Sequence, residues 1–109
     1  MPQLSTLVNN INDAQTVEEN VYKLRESLIK NYNRRGYNSE LEVTINKGRK
    51  YWKVITDNSV HCFVDVKNGD VYKPASWNKP AAIVRYNLLT NPEIVFERCD
   101  WAGGYLYIR

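Results

Sequence analysis

With 109 residues, 43% of them apolar and 25% charged, the chain has the make-up of one globular domain, which excludes a disordered tail or a fibrous repeat. No stretch approaches the ~18 apolar residues of a membrane span, and Met1-Pro2-Gln3-Leu4-Ser5 lacks the regions of a signal peptide. The reading is a soluble protein that stays in the cell. Its formal charge of +3 is unevenly placed: residues 1–45 carry five Lys or Arg against six Asp or Glu, and residues 46–109 carry ten against six. The basic character of the second part suits an anionic partner.

Leu4, Leu7, Val8 and Ile11 recur at helical spacing, after which Asn12-Asp13-Ala14-Gln15 interrupts the pattern. Thr16 and Glu19 then form a capping box, predicting a second helix with Val17, Val21, Leu24 and Leu28 as its apolar stripe and Gly36 as its stop. Beyond Gly36 the period changes to two, with Leu41, Val43 and Ile45 on one face of a strand. Strands follow at Arg49 to Thr56 and Val60 to Val66, and the hairpin signal Asn68-Gly69 returns the chain into a strand from Asp70 to Lys73. Pro74 is expected to end that strand. A short helix is predicted near residues 79–89 with Pro80 in its first turn, then a strand from Ile94 to Glu97 and a last strand from Tyr105 to Arg109.

The expected fold is therefore α+β in one domain spanning residues 1–109. Residues 1–36 supply two N-terminal helices; residues 37–109 form an antiparallel sheet of four to six strands, with one short helix before the C-terminal hairpin.

A search for chemistry finds none. His61 stands beside Cys62 on a predicted strand, where alternation points neighbours to opposite faces, so they form no Cys-His dyad. Cys62 and Cys99 have no partners at metal-ligand spacing and read as small buried apolar residues. The chain has no phosphate-binding glycine loop, nucleophile elbow or carboxylate cluster. It is read as a non-enzyme with no cofactor and no metal.

Two windows lack acids altogether: Val43 to Thr56 and Val71 to Pro92. In the first, Arg49-Lys50-Tyr51-Trp52-Lys53 alternates charges and rings as a base-stacking platform would; the alternative is a solvated strand with Trp52 in the core. In the second, a helix starting near Pro80 would offer free backbone N–H groups, with Lys79 beside them, to an anion. Trp77 and Tyr72 are candidates for stacking, and Arg85 and Asn87 for hydrogen bonds to a phosphate and to a base or ribose. The alternative is that Trp77 and Tyr86 plug the core. Eight tyrosines and three tryptophans fit a subunit interface as well as a pocket, predicting an oligomer.

The strings Gly48-Arg49-Lys50-Tyr51, Ser59-Val60-His61-Cys62-Phe63-Val64-Asp65, Gly69-Asp70-Val71-Tyr72-Lys73-Pro74-Ala75-Ser76-Trp77 and Pro80-Ala81 with Arg85-Tyr86-Asn87, with the closing Tyr107-Ile108-Arg109, resemble a group of small bacteriophage and prophage early proteins. The chain is also similar to the Thoeris anti-defence sponges, oligomeric phage proteins that sequester cyclic ADP-ribose signals made by host TIR enzymes and, in some members, cyclic oligonucleotides. Those sponges stack the base on an aromatic residue, bond it with a later asparagine and hold phosphates with arginines. The similarity implies Trp77 and Asn87 for the first two roles and Arg49, Arg85 and Arg109 for the third, in the cytoplasm of an infected bacterium. The expected function is sequestration of a small cyclic nucleotide immune signal. The alternatives are a single-stranded nucleic-acid binder, using Tyr51, Trp52 and Trp77, and a protein inhibitor of a host enzyme.

Overall fold

The computed structural model describes the backbone of residues 4–107 and the side chains of residues 12–107. A long helix, α1 (Leu4–Arg34), precedes five strands, β1 (Val43–Lys47), β2 (Tyr51–Thr56), β3 (Ser59–Asp65), β4 (Asp70–Ser76) and β5 (Lys79–Asn87), and a short helix, α2 (Pro92–Arg98). A 3-10 turn over Gly104–Leu106 follows. The strands form one antiparallel meander in the order β1-β2-β3-β4-β5.

One helix stands where two were expected. Nothing between Asn12 and Gln15 breaks a helix, and the Thr16 hydroxyl donates to the Asn12 carbonyl one turn back (2.9 Å) instead of capping a new N-terminus. The expected stripe at Leu4, Leu7, Val8 and Ile11 lies outside the described side chains. Val17, Val21, Leu24 and Leu28 are fully buried, and the helix ends as expected just before Gly36, whose φ of +74° suits glycine.

That stripe packs on Val43, Trp52, Val54, Cys62, Val64 and Val71 of the sheet. Three polar ties fix the helix. Asn20 Nδ2 donates to the Leu88 carbonyl (2.7 Å), Arg25 Nε to the Val43 carbonyl (2.9 Å), and Asn31 Oδ1 accepts the Trp101 N–H (3.1 Å). Each satisfies a backbone group, in β1 for Val43, just after β5 for Leu88 and after α2 for Trp101, where a buried orphan would cost ~1–3 kcal/mol.

Further expectations give way. The helix near 79–89 is β5, which supplies β4 with a neighbour along its length and carries the β-branched pair Ile83-Val84. Pro74 does not end β4, because the pairing with β5 is irregular on both sides of it, and a proline is tolerated at such a bulge, where a ladder N–H is not required of it. The strand at Ile94 to Glu97 is α2. Asn91-Pro92 opens this helix instead of stopping the one before it, with Pro92 in the first turn beside Glu93 and with Arg98 in the last. In the expected last strand, Gly104–Leu106 forms the 3-10 turn and buries Leu106 in the core; residues 108–109 lie outside the described part.

Gly69 carries the β3–β4 turn at φ +84°, and its carbonyl accepts the Leu88 N–H (2.8 Å). A Cβ there would stand 2.7 Å from the Leu89 nitrogen, whereas at Gly36 it would meet nothing within 4 Å. Gly69→Ala is therefore expected to lower stability by more than ~1 kcal/mol, and by more than Gly36→Ala, as read from urea midpoints.

Candidate functional site

Helix α1 covers one face of the sheet and leaves the other open. Register places Lys53, Phe63, Tyr72 and Val84 side by side across β2, β3, β4 and β5 on that open face, with Tyr51 one step along β2. Phe63 is only 2% exposed although, among the described residues, no helix covers it. Tyr51 closes over it edge-on (6.1 Å between ring centroids), and the Lys53 stem crosses it with Nζ 5.9 Å from the ring centre. Tyr51 also meets Tyr72 edge-on at 5.7 Å. The result is a small second apolar layer roofed by rings and a lysine.

Trp77, at the β4–β5 turn, is 51% exposed and lies beside this layer. Lys53 Nζ sits 5.0 Å from the Trp77 ring centre and donates to Asn78 Oδ1 at 3.0 Å, so the ammonium backs one face of the indole. Lys50 lies over Tyr51 at 5.3 Å. A recess lined by Tyr51, Tyr72, Lys79, Pro80, Ala81 and Ala82 opens next to it. The two acid-free windows of the sequence thus meet on one surface.

Of the residues singled out from sequence, Trp77 and Lys79 are brought together at this hairpin. No helix begins at Pro80, so the predicted anion site of free backbone N–H groups does not form. Trp52 is buried in the core at 7% exposure and has no free face for stacking. Trp77 does not plug the core; Tyr86 does, packing against it while its hydroxyl donates to the Tyr105 carbonyl (3.0 Å).

Asn87 lies at the far end of β5, nine residues of strand from the Trp77 turn, on the order of 25–30 Å. Its amide is spent within the fold: Nδ2 donates to the Asn68 carbonyl and to Asp70 Oδ1, while Oδ1 accepts the N–H groups of Leu89 and Thr90. Arg85, near the same end, is partly buried, with Nε enclosed and unpaired. Arg49 is exposed in the β1–β2 turn, also at the end opposite Trp77. Arg109 lies outside the described residues.

Lys53 and Asn78, which position the Trp77 ring, were absent from the sequence-derived site. Lys53 was visible only as a member of the basic strand, and nothing local pairs it with a tryptophan in another hairpin.

His61 departs from simple strand alternation. Ile55 pairs with Val60 and Val54 with Cys62, leaving His61 as the extra residue of a β-bulge. The bulge turns its ring toward the C-terminal segment, where Nε2 and the Tyr105 hydroxyl share a hydrogen bond of 2.7 Å. The alternation argument against a Cys-His dyad therefore fails at this position, and chemistry replaces it. Burial pushes the Cys62 thiol far up and the Cys99 thiol up to about 11, so neither is a ready nucleophile.

Burial lowers His61 to about 4 from an ordinary 6.5, only partly offset by Asp100. The folded state thus favours the neutral ring, and stability is full above pH 6.5 and falls as the unfolded chain gains a proton that the folded chain refuses. The expected loss reaches about 3 kcal/mol by pH 4. His61→Gln should flatten this part of the stability profile between pH 7 and 4, measured by urea titration.

Among the described residues, no group of three or more His, Cys, Asp or Glu is placed to hold a metal, and no helix is long and apolar enough to cross a membrane. No curated protein and no solved structure matches the chain. One family does match, over residues 4–108, and the chain belongs to it: a family of unknown function, DUF7717.

Proposed function

We propose that this chain is a non-catalytic phage anti-defence protein that binds and sequesters a small cyclic nucleotide immune signal, of the cyclic ADP-ribose or cyclic oligonucleotide type, in the cytoplasm of the infected host. The observation that carries the reading is the half-exposed Trp77, backed by the Lys53 ammonium 5.0 Å from its ring centre and flanked by Lys79. One indole face is free to stack a base, and the lysines meet the phosphates. Arg49 and Arg85 sit toward the other end of the sheet from Trp77. A homo-oligomer, in which a second copy brings an arginine to the Trp77 end, is part of the proposal.

The test is mass measurement of small molecules released from protein purified from cells whose TIR signalling enzyme is active. A cyclic nucleotide mass that is missing from Trp77→Ala protein is expected; release of no nucleotide contradicts the reading.

A second reading, a single-stranded nucleic-acid binder, is favoured by the sharing of one open face among Tyr51, Tyr72 and Trp77 with Lys50, Lys53 and Lys79. It requires oligonucleotide affinity that falls steeply with salt, because phosphate contacts release counterions. Affinity for oligonucleotides that is absent or insensitive to salt excludes it.

A further inference from the structure

We infer that the open face holds two separate ring-binding subsites, Trp77 and the Tyr51–Tyr72 recess, and that its ligand is a nucleotide carrying two splayed bases with its phosphate between them at Lys53 and Lys79. This rests on the nucleotide-binding reading above and adds the number of bases and their arrangement.

The recess is bounded by the edge-on pair Tyr51 and Tyr72, which present an apolar wall, and by Pro80, Ala81 and Ala82 of β5, whose short side chains leave room for a flat ring. The room comes from irregular pairing: Tyr72 pairs with Val84 and Pro74 with Pro80, so β5 has two more residues than β4 between those rungs and bows away. Trp77 lies five positions after Tyr72, about 16–17 Å along extended chain. Stacked neighbours in a strand are only ~3.4 Å apart, so two bases occupying both subsites are splayed and not stacked on each other.

Charge orders the ligand between them. Lys79 lines the recess on the side toward Trp77, and Lys53 reaches from the sheet row to the indole. The other end of the face carries both signs of charge, with Asp65 and Asp70 accepting from the Lys67 N–H (3.0 Å) and the Asn87 amide (2.9 Å) beside Lys50 over Tyr51, whereas the side toward Trp77 carries lysines alone. A base in the recess therefore points its phosphate toward the lysines and Trp77.

The experiment titrates the full chain by calorimetry with adenosine monophosphate and with linear diadenylate. Diadenylate is expected to bind at least tenfold more tightly, and Trp77→Ala and Tyr72→Leu are each expected to reduce it to the affinity of the monophosphate. Ala82→Glu, at an exposed position of the recess, should do the same without touching the apolar layer, which covers the case that Tyr72→Leu does not fold. Equal affinity for the two probes overturns the inference, as does diadenylate binding that is lost in Trp77→Ala but unchanged in Ala82→Glu; both leave the Trp77 reading standing. Binding of a cyclic nucleotide with no binding of diadenylate also overturns it, and absence of binding by any nucleotide overturns both.

Discussion

Replacing Trp77 with alanine is expected to weaken cyclic-nucleotide binding by about 5- to 150-fold, the worth of one base stacked on one ring, while leaving the stability of the fold nearly unchanged. The split follows from where the indole sits. It is 51% exposed and contributes no buried contact to the α1 side of the sheet, so its removal leaves no cavity. Lys53→Ala should weaken binding less, because it removes the ammonium and the positioning of the ring but not the ring itself. Thermal melting alongside calorimetry separates the two effects. A Trp77→Ala protein that melts much lower, with binding retained, would reverse the assignment and make the indole a packing residue.

Asn87→Ala is expected to behave in the opposite way, costing about 1–3 kcal/mol of stability. Its amide joins the β3–β4 turn, through the Asn68 carbonyl and Asp70, to the start of the loop after β5, through the Leu89 and Thr90 N–H groups. Losing it frees all four partners at the same end of the sheet where Gly69 accepts the Leu88 N–H. The urea midpoint should fall, and any loss of ligand binding should disappear once the fraction of folded protein is taken into account. A variant with unchanged midpoint and abolished binding would instead give Asn87 the ligand role proposed for it from sequence.

Much of the fold is readable from local pattern. Val17, Val21, Leu24 and Leu28 mark the buried face of α1, Asn68-Gly69 marks the β3–β4 turn, and alternation locates the first three strands. The misread parts are those in which one local signal serves two structures. Asn-Pro both ends helices and starts them, and here Asn91-Pro92 starts one. Pro80 suits the first turn of a helix, yet it is tolerated in β5 because β5 is the edge strand and its pairing with β4 is irregular there, conditions that exist only once the hairpin has closed.

The candidate site divides in the same manner. An acid-free run with Trp77 and Lys79 is visible along the chain, and the hairpin keeps them together. The partnership of Lys53 with Trp77 and Asn78 spans 25 positions and depends on the lateral order β2-β3-β4, which no local period encodes. The separation of Trp77 from Asn87 has the same origin: as a helix, residues 79–89 would have held them within ~15 Å, and as a strand they stand at opposite ends of the sheet.

The most direct test of the central claim is isothermal titration of the purified chain with cyclic ADP-ribose isomers and cyclic oligonucleotides, in parallel with Trp77→Ala. Saturable heat with at least one of these ligands, lost or strongly weakened in the variant, is the predicted result. No heat with any of them, or equal binding by the variant, would contradict it.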